Sequence, residues 1–183
     1  IKLEKERSDK LLLNILPAEI AEELKLKGSA DARNFSMVSI LFTDFKGFTE
    51  LSSKFSAKEL VEEINTCFIE FDDIISKYGI EKIKTIGDAY MAAGGLPQPE
   101  IDSVKNTVIA ALEMQEFISK RKIELDKLGK TAFEMRSGIH TGPIVAGIVG
   151  VKKFQYDIWG DAVNTASRME SSCEVGKVNI SQT

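Results

Sequence analysis

The chain has 183 residues, of which 43% are hydrophobic and 28% charged, as is typical of a globular domain with a sizeable core. Its formal net charge of −4 argues against non-specific binding to a nucleic-acid backbone, so we expect no nucleic acid among its partners. An anionic ligand would have to be held by a few well-placed side chains.

The two cysteines and the single histidine narrow the chemistry further. Cys67 and Cys173 have no metal-ligand spacing and indicate no disulfide framework, which fits a reducing, cytoplasmic compartment. A lone His140 rules out a zinc site built on histidines and disfavours a Ser-His-Asp triad. The sequence contains no apolar run long enough to span a membrane and no visible signal peptide. Because the chain begins at Ile1 and stops abruptly, we expect it to be a fragment of a longer protein.

Residues 1–28 are predicted to be helical and to form a segment of their own. Pro17 interrupts the pattern and suits the first turn of a second short helix. Ile20 and Leu24 then share a face, and Gly28 is a natural helix end. The segment is either an ordinary amphipathic helix or the end of a coiled coil from an upstream domain, with too few heptads to decide. We therefore divide the chain into a linker or signalling helix, residues 1–28, and a main domain, residues 29–183.

The first half of the main domain alternates strand and helix signals. An apolar run, Phe35–Phe42, predicts a central strand. A capping box of Ser56 with Glu59 then opens an amphipathic helix that ends at Gly79. A hairpin follows over Ile80–Ala93.

The second half continues the same alternation. We predict a long helix over residues 101–128, two strands joined by a turn at Thr141–Pro143, a helix in "DAVNTASRMESS" and a last strand in "KVNIS". Helices separated by antiparallel pairs indicate an α+β fold with helices packed on one face of a mainly antiparallel sheet. A split β-α-β, or ferredoxin-like, core is the leading candidate.

Two aspartates mark a candidate metal site. Asp44 ends the first strand and Asp88 lies in the hairpin turn Gly87-Asp88, and a split β-α-β topology places these elements side by side. Two carboxylates at one point repel each other unless cations lie between them, and Mg²⁺ is bound in this way together with substrate phosphates. Gly47 would let backbone amides approach a phosphate closely. The alternative is an ordinary hairpin turn and a helix-capping aspartate.

Four motifs in order then resemble the catalytic domains of the class III nucleotide cyclases, the adenylyl and guanylyl cyclases. They are "LFTDFKGFTELS", "KIKTIGDAYMAAGGLP", "MRSGIHTGPIVAGIVG" and "QYDIWGDAVNTASRMES". The resemblance runs from about Leu11 to Ile180. It implies that residues 29–183 are a cyclase catalytic domain that forms a homodimer with two active sites at the interface. The N-terminal helix would link it to an upstream sensor or membrane domain, so that the parent protein would be membrane-anchored.

The resemblance also assigns roles to individual residues. Two Mg²⁺ or Mn²⁺ ions would be held by two aspartates and a backbone carbonyl: Asp44, Asp88 and Phe45. The base would be read by Lys84 and Asp157. The terminal phosphates would be contacted by Arg136 and by the turn that carries Gly47, Phe48 and Thr49. The ribose and the transferring phosphate would be held by Asn164 and Arg168.

The chemistry of two residues indicates which base is bound. Lys84 offers only hydrogen-bond donors and an ionised Asp157 only acceptors. Adenine fits this pair, with N1 facing the lysine and the 6-amino group facing the aspartate, whereas guanine reverses both edges. Guanylyl cyclases carry glutamate and cysteine-type residues at these positions. The sequence therefore predicts an adenylyl cyclase that converts ATP to 3′,5′-cyclic AMP and pyrophosphate.

Two alternatives and one departure accompany this prediction. The alternatives are a guanylyl cyclase and a catalytically inactive cyclase-like domain that serves in dimerisation or regulation. The departure is a phosphate-binding lysine that the family supplies near the end of the domain, beyond Thr183.

Overall fold

A computed structural model describes residues 2–182 and contains six helices and six strands in this part of the chain. The helices are α1 Lys2–Leu13, α2 Ala18–Lys27, α3 Phe48–Ser52, α4 Ala57–Lys77, α5 Ser103–Lys127 and α6 Asp161–Ser171. The strands are β1 Arg33–Phe45, β2 Glu81–Ile86, β3 Ala89–Gly94, β4 Met135–Val149, β5 Gln155–Trp159 and β6 Val178–Ile180.

One sheet organises the molecule, in the order β2-β3-β1-β4-β5, and β6 pairs with β4. The β1–β3, β1–β4, β2–β3 and β4–β5 pairs are antiparallel, and the β4–β6 pair is parallel. Helix α4 connects β1 to β2, which lies two positions away with β3 between them. This arrangement confirms the predicted α+β class and its split β-α-β core.

Helices cover both faces of the sheet, although the sequence indicated one. On β1, Val38 and Ile40 point into a core shared with α2 and α6, whereas Leu41 and Phe45 point into a core shared with α4 and α5. This division follows from the strand geometry, because successive side chains point to opposite faces. The predicted apolar stripe of α4 faces the second core, and the capping box of Ser56 and Glu59 begins that helix.

The predicted turn at Thr141–Pro143 is wrong, because β4 runs through it as one strand of 15 residues. Thr141 pairs with Ser39 and Gly142 with Val38, but the next pair joins Ile144 to Phe35. The register shift in β1 means that Pro143, which lacks an amide hydrogen, lies opposite a bulge rather than within a regular ladder. The continuous strand brings the family motif in β4 alongside the whole of β1.

The sequence analysis did not predict two short elements. Strand β5 covers the "QYDIW" run, and α3 is a helix of five residues directly after Gly47. Both are too short for a clear periodic pattern.

The N-terminal segment consists of the two predicted helices, with Gly28 ending the second in a left-handed conformation. Leu16 and Ile20 are buried in the core beneath α2, and Arg33 on β1 contacts Glu23 at 2.6 Å. Among residues 2–182, no helix is long and apolar enough to cross a membrane. The division of the chain after residue 28 stays a prediction.

Candidate active site

The fold brings Asp44 and Asp88 together, as the topology predicted. Strands β1 and β3 pair with Thr43 opposite Tyr90, so the end of β1 lies beside the turn that precedes β3. Gly87 takes a positive φ of 61° at the tip of this turn, and Asp88 follows it. The Asp44 carboxyl group lies close enough to raise the pKa of Asp88, and the backbone of Phe45 acts in the opposite direction.

The electrostatics of this pair suit divalent cations. Partial burial and the neighbouring Asp44 carboxylate raise the pKa of Asp88 to about 6. The ionised form of Asp88 is therefore disfavoured unless a positive charge compensates it. Among residues 2–182, no group of three or more His, Cys, Asp or Glu side chains is arranged to hold a metal ion. Two carboxylates supply part of a Mg²⁺ or Mn²⁺ coordination shell and leave the remainder for phosphates and water. The residues present thus fit cations that bind together with a nucleotide.

The turn after β1 presents backbone groups beside these aspartates. Gly47 has a φ of +64°, and a Cβ atom there would meet no atom within 4 Å, so the space above the turn is open. Phe48 and Thr49 begin α3, where amide groups have no intrahelical acceptor. The ring of Phe45 is buried against Phe133 at 4.6 Å between ring centres, which fixes the end of β1. The metal and phosphate contacts assigned to these residues stay predictions.

Arg136 lies directly opposite Asp44 in the β1–β4 ladder. Its Nη2 atom donates to Oδ2 of Asp44 at 3.4 Å and lies 3.1 Å from Oε1 of Glu170. Its Nη1 atom donates to the backbone carbonyl of Ser171 at 3.3 Å. The guanidinium is therefore beside the carboxylate pair, where terminal phosphates would lie in the predicted site.

Lys84 and Asp157 form an ion pair with 2.6 Å between Nζ and Oδ2. They come from β2 and β5, which lie at the two ends of the main strand order, so the sheet curves enough for these strands to meet. The other oxygen of Asp157 accepts a hydrogen bond from the amide of Ile158 at 2.8 Å. The Asp157 side chain is 11% exposed and that of Lys84 27% exposed. A buried acceptor thus faces a partly buried donor. The base-reading role assigned to the two residues stays a prediction.

Asn164 and Arg168 lie on the outer face of α6. The inner face of this helix carries Ala162, Ala166 and Glu170, which are buried, whereas Asn164 and Arg168 are exposed. The inner face lies close to the aspartate pair, because Glu170 on this face contacts Arg136 and Arg136 also contacts Asp44. At 100° per residue, Arg168 points roughly opposite to Glu170. The two predicted transition-state residues therefore face away from Asp44 and Asp88 of their own chain.

Two cavities lie between α4 and α5. The first has a volume of about 460 Å³ and is lined in part by Arg121, and the second has a volume of about 470 Å³ and is lined in part by Phe117. Neither cavity includes a predicted site residue.

The sequence analysis did not identify Glu170 as a site residue, although it contacts Arg136. The helical spacing could have indicated it, because Glu170 follows Ala162 and Ala166 at intervals of four residues and so falls on the buried face of α6. It also missed the bond between Tyr90 and Asp72, which anchors the hairpin to α4.

Comparisons with known proteins show to which family the chain belongs. The family model described as the adenylate and guanylate cyclase catalytic domain matches residues 30–183. An adenylate cyclase of Mycobacterium tuberculosis is 41% identical over 181 residues, which are 98% of this chain and 40% of that protein. The receptor-type guanylate cyclase gcy-23 of Caenorhabditis elegans is 40% identical over 177 residues, 96% of this chain and 16% of that protein.

The solved structures include the catalytic core of a rhodopsin-guanylyl cyclase with converted specificity in complex with ATPαS. It is 35% identical, with a TM-score of 0.75, over 83% of this chain and 80% of that one. The chain spans less than half the length of either sequence relative. With the family model matching most of its length, the chain belongs to the class III adenylyl and guanylyl cyclase catalytic-domain family.

Proposed function

We propose that this domain is an adenylyl cyclase that converts ATP to 3′,5′-cyclic AMP and pyrophosphate. The observation that carries the proposal is the 2.6 Å ion pair between Lys84 and Asp157. A donor-only group beside an acceptor-only group matches the N1 acceptor and the 6-amino donor of adenine. Guanine would place N1–H against the ammonium and O6 against the carboxylate, which can cost a factor of about 10⁴ in discrimination.

The carboxylates of Asp44 and Asp88, with the carbonyl of Phe45, would hold two Mg²⁺ or Mn²⁺ ions. When bound, these cations supply Lewis-acid chemistry, which lowers the pKa of the ribose 3′-hydroxyl and neutralises charge on the phosphates. Arg136 and the amides of Gly47, Phe48 and Thr49 bind the β- and γ-phosphates. Arg168 stabilises the charge that develops on the α-phosphoryl group, and Asn164 orients the ribose for in-line attack.

The site is shared between two copies of the chain. The outward direction of Asn164 and Arg168, away from the aspartates of their own chain, supports this arrangement. In a two-fold homodimer, the metal-binding residues of each chain face the base-reading and transition-state residues of the other, which produces two equivalent sites. The N-terminal helices α1 and α2 would connect the dimer to an upstream sensor.

The experiment is a product assay. Purified dimer is incubated with Mn²⁺ and either ATP or GTP, and the cyclic product is identified by mass spectrometry. We expect cyclic AMP from ATP and little cyclic GMP. Preferential formation of cyclic GMP would replace this proposal with the guanylyl cyclase alternative, which the 40% identity to a receptor guanylate cyclase favours. No product from either nucleotide would indicate an inactive, regulatory domain.

A further inference from the structure

Glu170 places a buried carboxylate at a position where an apolar side chain would cost less desolvation free energy. The side chain of Glu170 is 9% exposed, on the stripe of α6 otherwise formed by Ala162 and Ala166. The helix is pressed against β4 at this point: a Cβ atom on Gly138 would lie 2.0 Å from the Glu170 amide nitrogen. Burying an ionisable group in such a contact is costly unless a partner compensates it.

The partner of Glu170 is Arg136, and the pairing is incomplete. Oε1 of Glu170 lies 3.1 Å from Nη2 of Arg136 but is not aligned for a hydrogen bond, and Nε of Arg136 has no hydrogen-bond partner among residues 2–182. Burial raises the pKa of Glu170, whereas the nearby guanidinium acts in the opposite direction. Nε of Arg136 and Oε1 of Glu170 thus keep hydrogen-bonding capacity that their contact with each other does not use.

Arg136 contacts two carboxylates that are not equivalent. Asp44, at 3.4 Å, belongs to the pair that fits divalent cations, and its side chain is 28% exposed. Glu170 lies on the other side of the guanidinium, and it is attached to a helix rather than to the metal-binding turn. Cations that take up the charge of Asp44 would weaken its attraction for Arg136, since both compete for the same oxygen atoms. Glu170 and the carbonyl of Ser171 would then be the contacts that remain.

We infer that Glu170 is a positioning residue, which keeps Arg136 directed at the terminal phosphates of the nucleotide after cations occupy Asp44. This inference rests on the proposed function, because it requires a triphosphate at this site. It does not depend on which base is bound.

The test measures binding rather than turnover. The affinities of 3′-deoxy-ATP and 3′-deoxy-AMP, neither of which can cyclise, are measured by calorimetry with Mn²⁺ for the parent dimer and for Glu170→Gln, Arg136→Gln and the double variant. Glu174→Gln is the matched control, since Glu174 is exposed on the loop after α6. Thermal melting checks that each variant folds, and Glu170→Met replaces Glu170→Gln if the latter does not.

We expect Glu170→Gln to weaken binding of the triphosphate about tenfold, the scale of one interaction with a charged group, and to change binding of the monophosphate less than about twofold. In the Arg136→Gln background, the same substitution should have no further effect, because its partner is already absent. Equal losses for both nucleotides, additive losses in the double variant, or no loss would each overturn the inference. Binding of 3′-deoxy-GTP to the parent is measured as well. If the parent binds only this triphosphate, the proposed base specificity fails and the same cycle is run with the guanine nucleotides. If it binds neither triphosphate, both proposals fail.

Discussion

The ionised carboxylate of Asp88 destabilises the metal-free protein, because it is partly buried beside Asp44. The folded pKa of about 6 lies above the ordinary value of 3.8. A raised acid pKa means that the folded state binds more protons than the unfolded state between these values. Stability is therefore lost as the pH rises from about 4 to about 6, and the cost persists above that range.

We predict that Asp88→Asn stabilises the metal-free protein at neutral pH while abolishing cyclisation. The gain should be about 1 kcal/mol, because solvent screening at a partly exposed group reduces the effect that the pKa shift alone implies. Urea unfolding in EDTA from about pH 4 to pH 8 measures it, and the gain should vanish at the acid end. Asp102→Asn, at an exposed residue that makes no capping hydrogen bond, is the control. A gain that does not change with pH would show that ionisation is not its cause.

The base-reading pair gives a second prediction at the residue scale. Changing Lys84→Glu together with Asp157→Cys should shift the ratio of kcat/KM from ATP toward GTP by about 10- to 100-fold, because the glutamate accepts from guanine N1–H and the 2-amino group. Lys84→Glu alone should impair both activities, since two carboxylates would then face each other across the 2.6 Å contact. Steady-state kinetics with both nucleotides measure these effects. An unchanged ratio in the double variant would mean that this pair does not select the base.

At the scale of elements, the β2–β3 hairpin carries both Lys84 and Asp88, so its attachment to α4 matters for the site. Tyr90 is fully buried and donates to Oδ1 of Asp72 on α4 at 2.6 Å. Lys82 contacts the same carboxylate at 2.8 Å. Burial and the Asp72 charge raise the pKa of Tyr90, so its hydroxyl remains a donor throughout the physiological range.

We predict that Tyr90→Phe lowers the free energy of unfolding by about 1 kcal/mol and reduces kcat/KM several-fold without changing the base preference. The matched control is Tyr78→Phe. Tyr78 donates to Glu113 over the same distance of 2.6 Å but joins α4 to α5 rather than to the hairpin. The Tyr78→Phe variant should show a similar decrease in the free energy of unfolding and keep the activity of the parent. Equal losses of activity in both variants would show that the hairpin attachment has no special role.

The elements that the sequence predicted well are those specified by neighbouring residues. The capping box at Ser56 and the turn at Gly87 depend on local chemistry, and both occur as expected. The path of β4 through Pro143 was not predictable, because it depends on a bulge in β1 more than 100 positions away along the chain. The same limit applies to Glu170, whose partner Arg136 becomes visible only when α6 packs on β4.

At the scale of the whole molecule, the candidate site residues come together through different features of the fold. The juxtaposition of Asp44 with Asp88 follows from the adjacency of β1 and β3. The pairing of Lys84 with Asp157 requires the curvature of the entire sheet, which no local pattern encodes. Asn164 and Arg168 lie on the exposed face of α6, away from the inner face that carries Glu170. In the proposed arrangement, a reacting centre that uses all of these residues would be shared with a partner molecule.

The last prediction tests this requirement by mixing two inactive variants. Asp44→Ala damages the metal side of both sites in its homodimer, and Asn164→Ala with Arg168→Ala damages the opposite side of both sites. A mixed dimer collects all three substitutions in one site and leaves the other site intact, because a two-fold contact pairs each half with its counterpart. An equal mixture should contain about one half mixed dimers with one working site of two, and so recover about a quarter of the parent activity.

Native mass spectrometry confirms that mixed dimers form, and cyclic product is measured before and after mixing. Two copies of Asp44→Ala mixed with each other serve as the control and should remain inactive. The specific activity of the parent should also rise with protein concentration until dimers saturate, because the proposed arrangement leaves a monomer without a complete site. Mixed dimers without recovered activity would instead place the whole site within one chain, and α6 would then have to turn its exposed face toward Asp44 during the reaction.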